Sequence, residues 1–90
     1  MDKIEFLILR NLLHNEEYTR KVIPFIKAEY FEDTNQKIVF EEILNFIENY
    51  NQLSTKEILI IEVEKRKDIN DSTFTEIAHL IECLDDVPVV

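Results

Sequence analysis

The 90-residue chain has no glycine, one cysteine and a formal net charge of −9, and each of these excludes something. Without glycine there is no P-loop and no dinucleotide fingerprint, because backbone amides cradle phosphate only through conformations other residues resist; so acidic a chain also opposes direct nucleic-acid binding, which needs dense Lys and Arg. The 46% apolar content suffices for one small core without disulfide or metal, and no apolar run nears the ~18 residues that cross a bilayer, so a one-domain cytoplasmic protein with no membrane partner is expected.

The first helix is predicted over about residues 3–14. Its acidic flank, its internal Arg10 and the lack of a small-residue cleavage site distinguish it from a secretion signal. Ile4, Phe6, Leu7, Ile8, Leu9, Leu12 and Leu13 cover most of its circumference. Such a helix stands at the centre of a bundle, or serves the core on one side and a partner on the other. Asn15 is predicted to end it in a left-handed conformation and to cap the next helix. That second helix starts near Glu16, carries Tyr18, Val22 and Ile23, and breaks at Pro24, which lacks an amide hydrogen and disfavours a helical Ile23. Phe25 and Ile26 fall in a short turn. The stretch VIPFIKAEYF (22–31) then places two large aromatics, Tyr30 and Phe31, together in a joint. Three roles are open to them: plugging a core, docking a partner, or flanking a catalytic pocket.

The third helix has the clearest pattern. Asp33 and Gln36 are spaced as a capping box. Val39, Phe40, Ile43, Leu44, Phe46, Ile47 and Tyr50 fill one arc, opposite Glu41, Glu42, Asn45, Glu48 and Asn49. Ile38 is predicted to project among the polar residues, and Asn51 to terminate the helix in a left-handed conformation. The run ILIIEV (58–63) has strand composition, but Ser54 and Glu57 are spaced as a capping box and Leu53 and Ile58 as a hydrophobic staple, so a fourth helix is predicted. The same device opens a fifth, with Asn70 as cap and Ile69 and Phe74 at staple spacing. Phe74, Ile77, Ala78, Leu80, Ile81 and Leu84 share its apolar face, and the tail from Asp85 to Val90 is read as extended. The expectation is an all-α bundle of about five short helices in a single domain spanning residues 1–90.

No constellation carries strong chemistry. Glu76, His79 and Cys83 lie on one helix face, but a di-iron site needs a second Glu-x-x-His and two further glutamates, and zinc needs three or four ligands. Cys83 with His79 as nucleophile and base lacks an oxyanion hole. Catalytic, cofactor-binding and metal-ligating residues are therefore all expected to be none. The basic run EKRK (64–67) reads as a solvated helix end with cations near the negative pole of the dipole. More informative is the surplus of apolar residues in awkward positions, which suggests a protein–protein surface. Phe6, Leu13, Ile38, Ile60 and Ile61 are the partner-binding candidates.

The stretch VIPFIKAEYFEDTNQKIVFEEILNFIENYNQLSTKEIL (22–59) resembles the N-terminal domain of DnaB-like replicative DNA helicases, and most of all the version in T-even-type bacteriophages. The shared pattern is an apolar first helix and a short second one, then a hydrophobic-Pro-aromatic step and an acidic-aromatic pair. A helix with the step from Ile38 to Phe40 follows, then a Ser-capped short helix and a last helix ending LIECL. The resemblance covers about residues 4–84. It implies a helical head, usually followed by a helical hairpin and a RecA-like motor, that associates with other helicase subunits in a hexamer collar where primase docks. A helicase loader is a further implied partner. It also implies that Phe31 plugs the core while Tyr30 keeps its hydroxyl at the surface. ATP and Mg are implied only for the motor, which these 90 residues do not include. Since the chain stops near where the hairpin would begin, it is expected to be an excised head or a freestanding phage protein, monomeric or weakly associating if the hairpin supplies much of the dimer contact. The alternative function is a standalone acidic phage adaptor or inhibitor that binds a replication or host protein.

Overall fold

The computed structural model describes residues 3–86, which form five α-helices and one 3-10 turn with no strand among them. Helix α1 (Lys3–His14) is followed by α2 (Glu16–Val22), the 3-10 turn (Ala28–Tyr30), α3 (Thr34–Tyr50), α4 (Lys56–Glu64) and α5 (Asp71–Asp86). The all-α expectation holds. Helix α3 is the hub, packing against α1, α4, α5 and the 3-10 turn, while α5 also meets α1 and α4. The core comes from every layer: Leu9 and Leu12 of α1, Val39, Phe40 and Ile43 of α3, Leu59 and Val63 of α4, and Ile77, Ile81 and Leu84 of α5 are all fully buried.

Local chemistry explains most element boundaries. Asn15 caps α2, its Oδ1 accepting from the Tyr18 amide at 3.0 Å, but its backbone is extended rather than left-handed. At the end of α1 the Asn15 amide donates to the Asn11 carbonyl at 2.8 Å, and the buried Thr19 hydroxyl, 2.8 Å from the Asn15 carbonyl oxygen, also lies 3.1 Å from that of Leu12 and 3.3 Å from that of Asn11. The break near Pro24 is as predicted, with α2 ending at Val22 and the Phe25 and Ile26 amides both donating to the Val22 carbonyl in a turn; Ile23, expected to avoid helical geometry, nonetheless keeps it at φ −52° and ψ −42°. Asn51 does terminate α3 in the left-handed region, at φ 53°, and Arg20 donates to its side-chain and backbone oxygens.

Several expectations need correction. Asp33 caps α3 by accepting from the Gln36 amide at 3.0 Å, but the reciprocal half of the box is missing. The Gln36 side chain turns into the interior, where neither Nε2 nor Oε1 has a hydrogen-bond partner. The cap of α4 is Thr55, not Ser54: Thr55 Oγ1 accepts from the Ile58 amide, while the buried Ser54 hydroxyl donates to the Thr55 carbonyl. With Thr55 as cap, Glu57 stands one place too early for a capping box, and Leu53 one too early for the staple. Asn70 caps α5 as expected, accepting from the Thr73 amide at 2.8 Å. Helix α5 continues to Asp86, so Asp85 and Asp86 are helical rather than extended. The rest of the predicted tail, 87–90, lies outside the described residues.

Ile38 is the largest correction. It does not project into solvent but is buried at 6% exposure, because the link between α4 and α5 folds over that side of α3 and brings Arg66 and Ile69 to the same groove. A helical wheel cannot register cover supplied thirty residues later.

Candidate interaction surface

The joint at residues 22–31 separates its two aromatics by one step of backbone. Tyr30 closes the 3-10 turn and is exposed, whereas Phe31, in extended conformation, is fully buried. The Phe31 ring stacks on Phe40 of α3 with centroids 5.0 Å apart and planes inclined by 29°. One residue further on, the Glu32 amide donates to Oε1 of the buried Glu5 at 3.0 Å, which ties the entrance of α3 to the first turns of α1. Phe31 is thus a core plug, as the resemblance implies, and Tyr30 reaches the surface.

The polar constellation on α5 does not assemble a reactive site. His79 Nε2 and Cys83 Sγ lie 3.7 Å apart on an exposed face, while Glu76 Oε2 accepts from Asn35 Nδ2 of α3 at 3.1 Å. Among the described residues no three His, Cys, Asp or Glu side chains are grouped so as to hold a metal.

The basic run is more than a solvated helix end. Arg66 reaches back to α3 and lies within ion-pair distance of Glu41 at 3.5 Å, Glu42 at 3.1 Å and Asp68 at 3.0 Å. The hydrogen bond with Asp68 raises the guanidinium pKa above its already high ordinary value, against the cost of its partial burial; the Asp68 and Glu42 charges reinforce the rise. The same hydrogen bond lowers the Asp68 carboxyl below its ordinary value, against a small desolvation effect. The neighbouring groove, about 440 Å³, is lined by Glu41, Arg66 and Asp68 together with Lys37, Ile38 and Ile69. Arg66 and the carboxylates of Glu41 and Asp68 satisfy one another, so the groove is a joint between α3 and the α4–α5 link.

The five partner candidates separate in the fold. Leu13 is 4% exposed and, like Ile38, belongs to the core, so neither presents surface. Phe6 and Ile60 are half-buried against that core. Only Ile61 stands out, 50% exposed, with exposed Glu57 and Glu64 on the same face of α4.

A family model for the DnaB-like helicase N terminal domain matches residues 2–90. The chain belongs to that family. No curated protein and no solved structure matches it at a significant level. A DnaB-like N-terminal domain is the non-catalytic part of a helicase and points to a role among its subunits. None of the described helices of this helicase domain is long and apolar enough to cross a membrane.

Sequence reasoning missed the other exposed apolar side chains of the domain. Among the described residues, Ile4, Leu7, Phe25 and Tyr30 belong to its first third, and only Tyr50 and Ile61 lie beyond it. Charge is unevenly distributed along the chain. Residues 1–31 carry five Lys or Arg and five Asp or Glu, whereas residues 32–90 carry five and fourteen. The whole net charge of the chain therefore arises after Phe31.

Proposed function

We propose that this domain serves a replicative helicase by associating with other subunits of the same enzyme and by offering primase a docking surface, with the reactions of the helicase left to a motor elsewhere. The observation that carries this reading is the family match across residues 2–90, joined to a surface with exposed apolar side chains and no assembled reactive cluster among the described residues. The resemblance of residues 22–59 to T-even-type phage helicases supports assigning it to phage DNA replication in the host cytoplasm, where a helicase loader is a further partner. For the primase contact we assign Ile61, an exposed apolar side chain framed by Glu57 and Glu64, which suits a partner presenting an apolar side chain among cations. Phe6 and Ile60, half-buried beside the core, stand second to it.

The test is direct binding of the cognate primase to the fluorescently labelled 90-residue domain, followed by anisotropy. Saturable binding that Ile61→Glu weakens about tenfold supports the reading. No binding at 100 µM primase removes the docking role and favours an acidic adaptor for a different replication or host protein.

A further inference from the structure

We infer that His79 and Cys83 of α5 form a two-ligand site for a thiophilic divalent cation of the zinc class; this goes beyond the docking reading and does not rest on it. The two residues are four apart in the helix and so stand on one face, a turn from each other. His79 Nε2 and Cys83 Sγ are 3.7 Å apart. A tetrahedral zinc ion, with bonds of about 2.3 Å to sulfur and about 2.0 Å to nitrogen, holds those two donors about 3.5 Å apart. The separation already in place is therefore close to the bite of the ion, which enters between the donors with little movement of either side chain.

The support beneath the pair is rigid. Ile77, Leu80, Ile81 and Leu84 are buried on the opposite side of the same turns, which fixes the backbone between positions 79 and 83. Cys83 is half-buried and His79 exposed, so the pair opens to solvent. Glu76, one turn before His79, is engaged by Asn35 Nδ2 at 3.1 Å, and no third His, Cys, Asp or Glu among the described residues joins the group. The chain thus gives two donors and water fills the remaining positions, which makes the site weaker than a structural zinc centre and its ion exchangeable. A thiolate and an imidazole select zinc and its neighbours over magnesium and calcium, which take oxygen ligands. Binding exchanges a proton for the metal. The metal–sulfur bond forms, the thiol proton leaves to the buffer, and the ring binds in its neutral form with its proton on Nδ1. Only the folded helix holds the two ligands together, so the bound ion stabilises the folded domain.

Cobalt(II) titrated into the reduced 90-residue chain in a non-chelating buffer tests this, cobalt standing in for zinc because its thiolate complexes absorb light. The expected result is a thiolate-to-cobalt charge-transfer band that saturates at one ion per chain below 1 mM and that zinc abolishes. The band disappears in Cys83→Ser and needs at least tenfold more cobalt in His79→Gln. Zinc also raises the Tm of the wild-type chain, excess EDTA reverses the rise, and neither variant shows it. Metal-free melts of both variants check that the fold is kept, which their place on the polar side of α5 favours. No band at 1 mM cobalt overturns the site. A band of equal strength in His79→Gln means binding by the thiol alone and overturns it too, as does a plateau at half an ion per chain, where the thiols of two chains share the metal. A Tm that zinc leaves unchanged, or raises equally in the variants, overturns the placement of both ligands on the folded helix.

Discussion

Two joints meet the central helix α3, and they are fastened by different forces. The link from α2 to α3 is closed by an aromatic plug, Phe31 on Phe40. The link from α4 to α5 is closed by Arg66 among Glu41, Glu42 and Asp68, over the buried Ile38. Burial of an aromatic side chain removes a large apolar area from water and is insensitive to salt. An ion cluster at the surface is screened by salt, and much of its Coulomb energy is offset by desolvation. The first joint therefore sets the stability of the domain, while the second responds to conditions.

The sharpest test of that contrast is Phe31→Ala. It removes the plug and one half of an aromatic stack, at a cost of ~3–5 kcal/mol in chemical denaturation. In a domain of marginal total stability this populates unfolded chains at room temperature. A loss below ~1 kcal/mol would mean that Phe40 is covered by other side chains and that the first joint is no anchor. Ile38→Ala comes next, at ~2–4 kcal/mol. It probes whether the ionic joint is apolar underneath; a cost near zero would return Ile38 to the solvent-facing position its place on the helical wheel implies.

Removing the ion cluster should cost less. Arg66→Met keeps the aliphatic stem but leaves the largely buried Glu42 without its cation, at ~1–2 kcal/mol in low salt and less in 1 M NaCl. The acid dependence has a definite sign. Asp68 titrates below its ordinary value in the folded state because Arg66 hydrogen-bonds it. Its contribution is therefore complete above the unfolded carboxyl pKa, about 3.9, and is lost as pH falls through the lower folded value. Arg66 is shifted upward, so its own contribution is intact across this range and fades only in strong alkali. The gap in stability between wild type and Arg66→Met should thus be constant from pH 5 to 8 and shrink below about pH 4. A gap that widens in acid would show that the carboxylates are held by something other than Arg66.

The two joints also differ in how far the sequence revealed them. Pro24 and the aromatic pair marked the first, because a missing amide hydrogen and adjacent large rings are local facts. The second has the sequence pattern of a solvated basic run, since the carboxylates that define it on α3 lie 24 residues or more from Arg66 in the chain. Ile38 was misplaced for the same reason: its cover arrives with the later link. The start of α4 slipped by one residue because Ser54 and Thr55 are both competent caps, and only the fold determines which side chain faces inward. The wheel of α1 did imply a side left for a partner. It did not single out Leu7, and Phe25 in its turn had no periodicity to mark it.

Gln36 lies at the start of α3, and its substitution is expected to have the smallest effect of the series. Its spacing from Asp33 promises a reciprocal cap, in which the carboxamide would reach back to the cap's backbone amide. The structure makes one half only and leaves both amide atoms buried without partners. A buried polar group in that condition costs free energy that a methionine of similar shape does not. Gln36→Met should therefore stabilise the domain by about 1 kcal/mol, a rise in Tm of roughly 4–8 °C for a chain of this size. The opposite sign would be equally informative. A comparable loss in Gln36→Met would show that the amide is satisfied in solution by completing the capping box. The entrance of α3 would then be fastened at Asp33 as well as at Phe31, and polar bonding would join apolar packing at the anchoring joint.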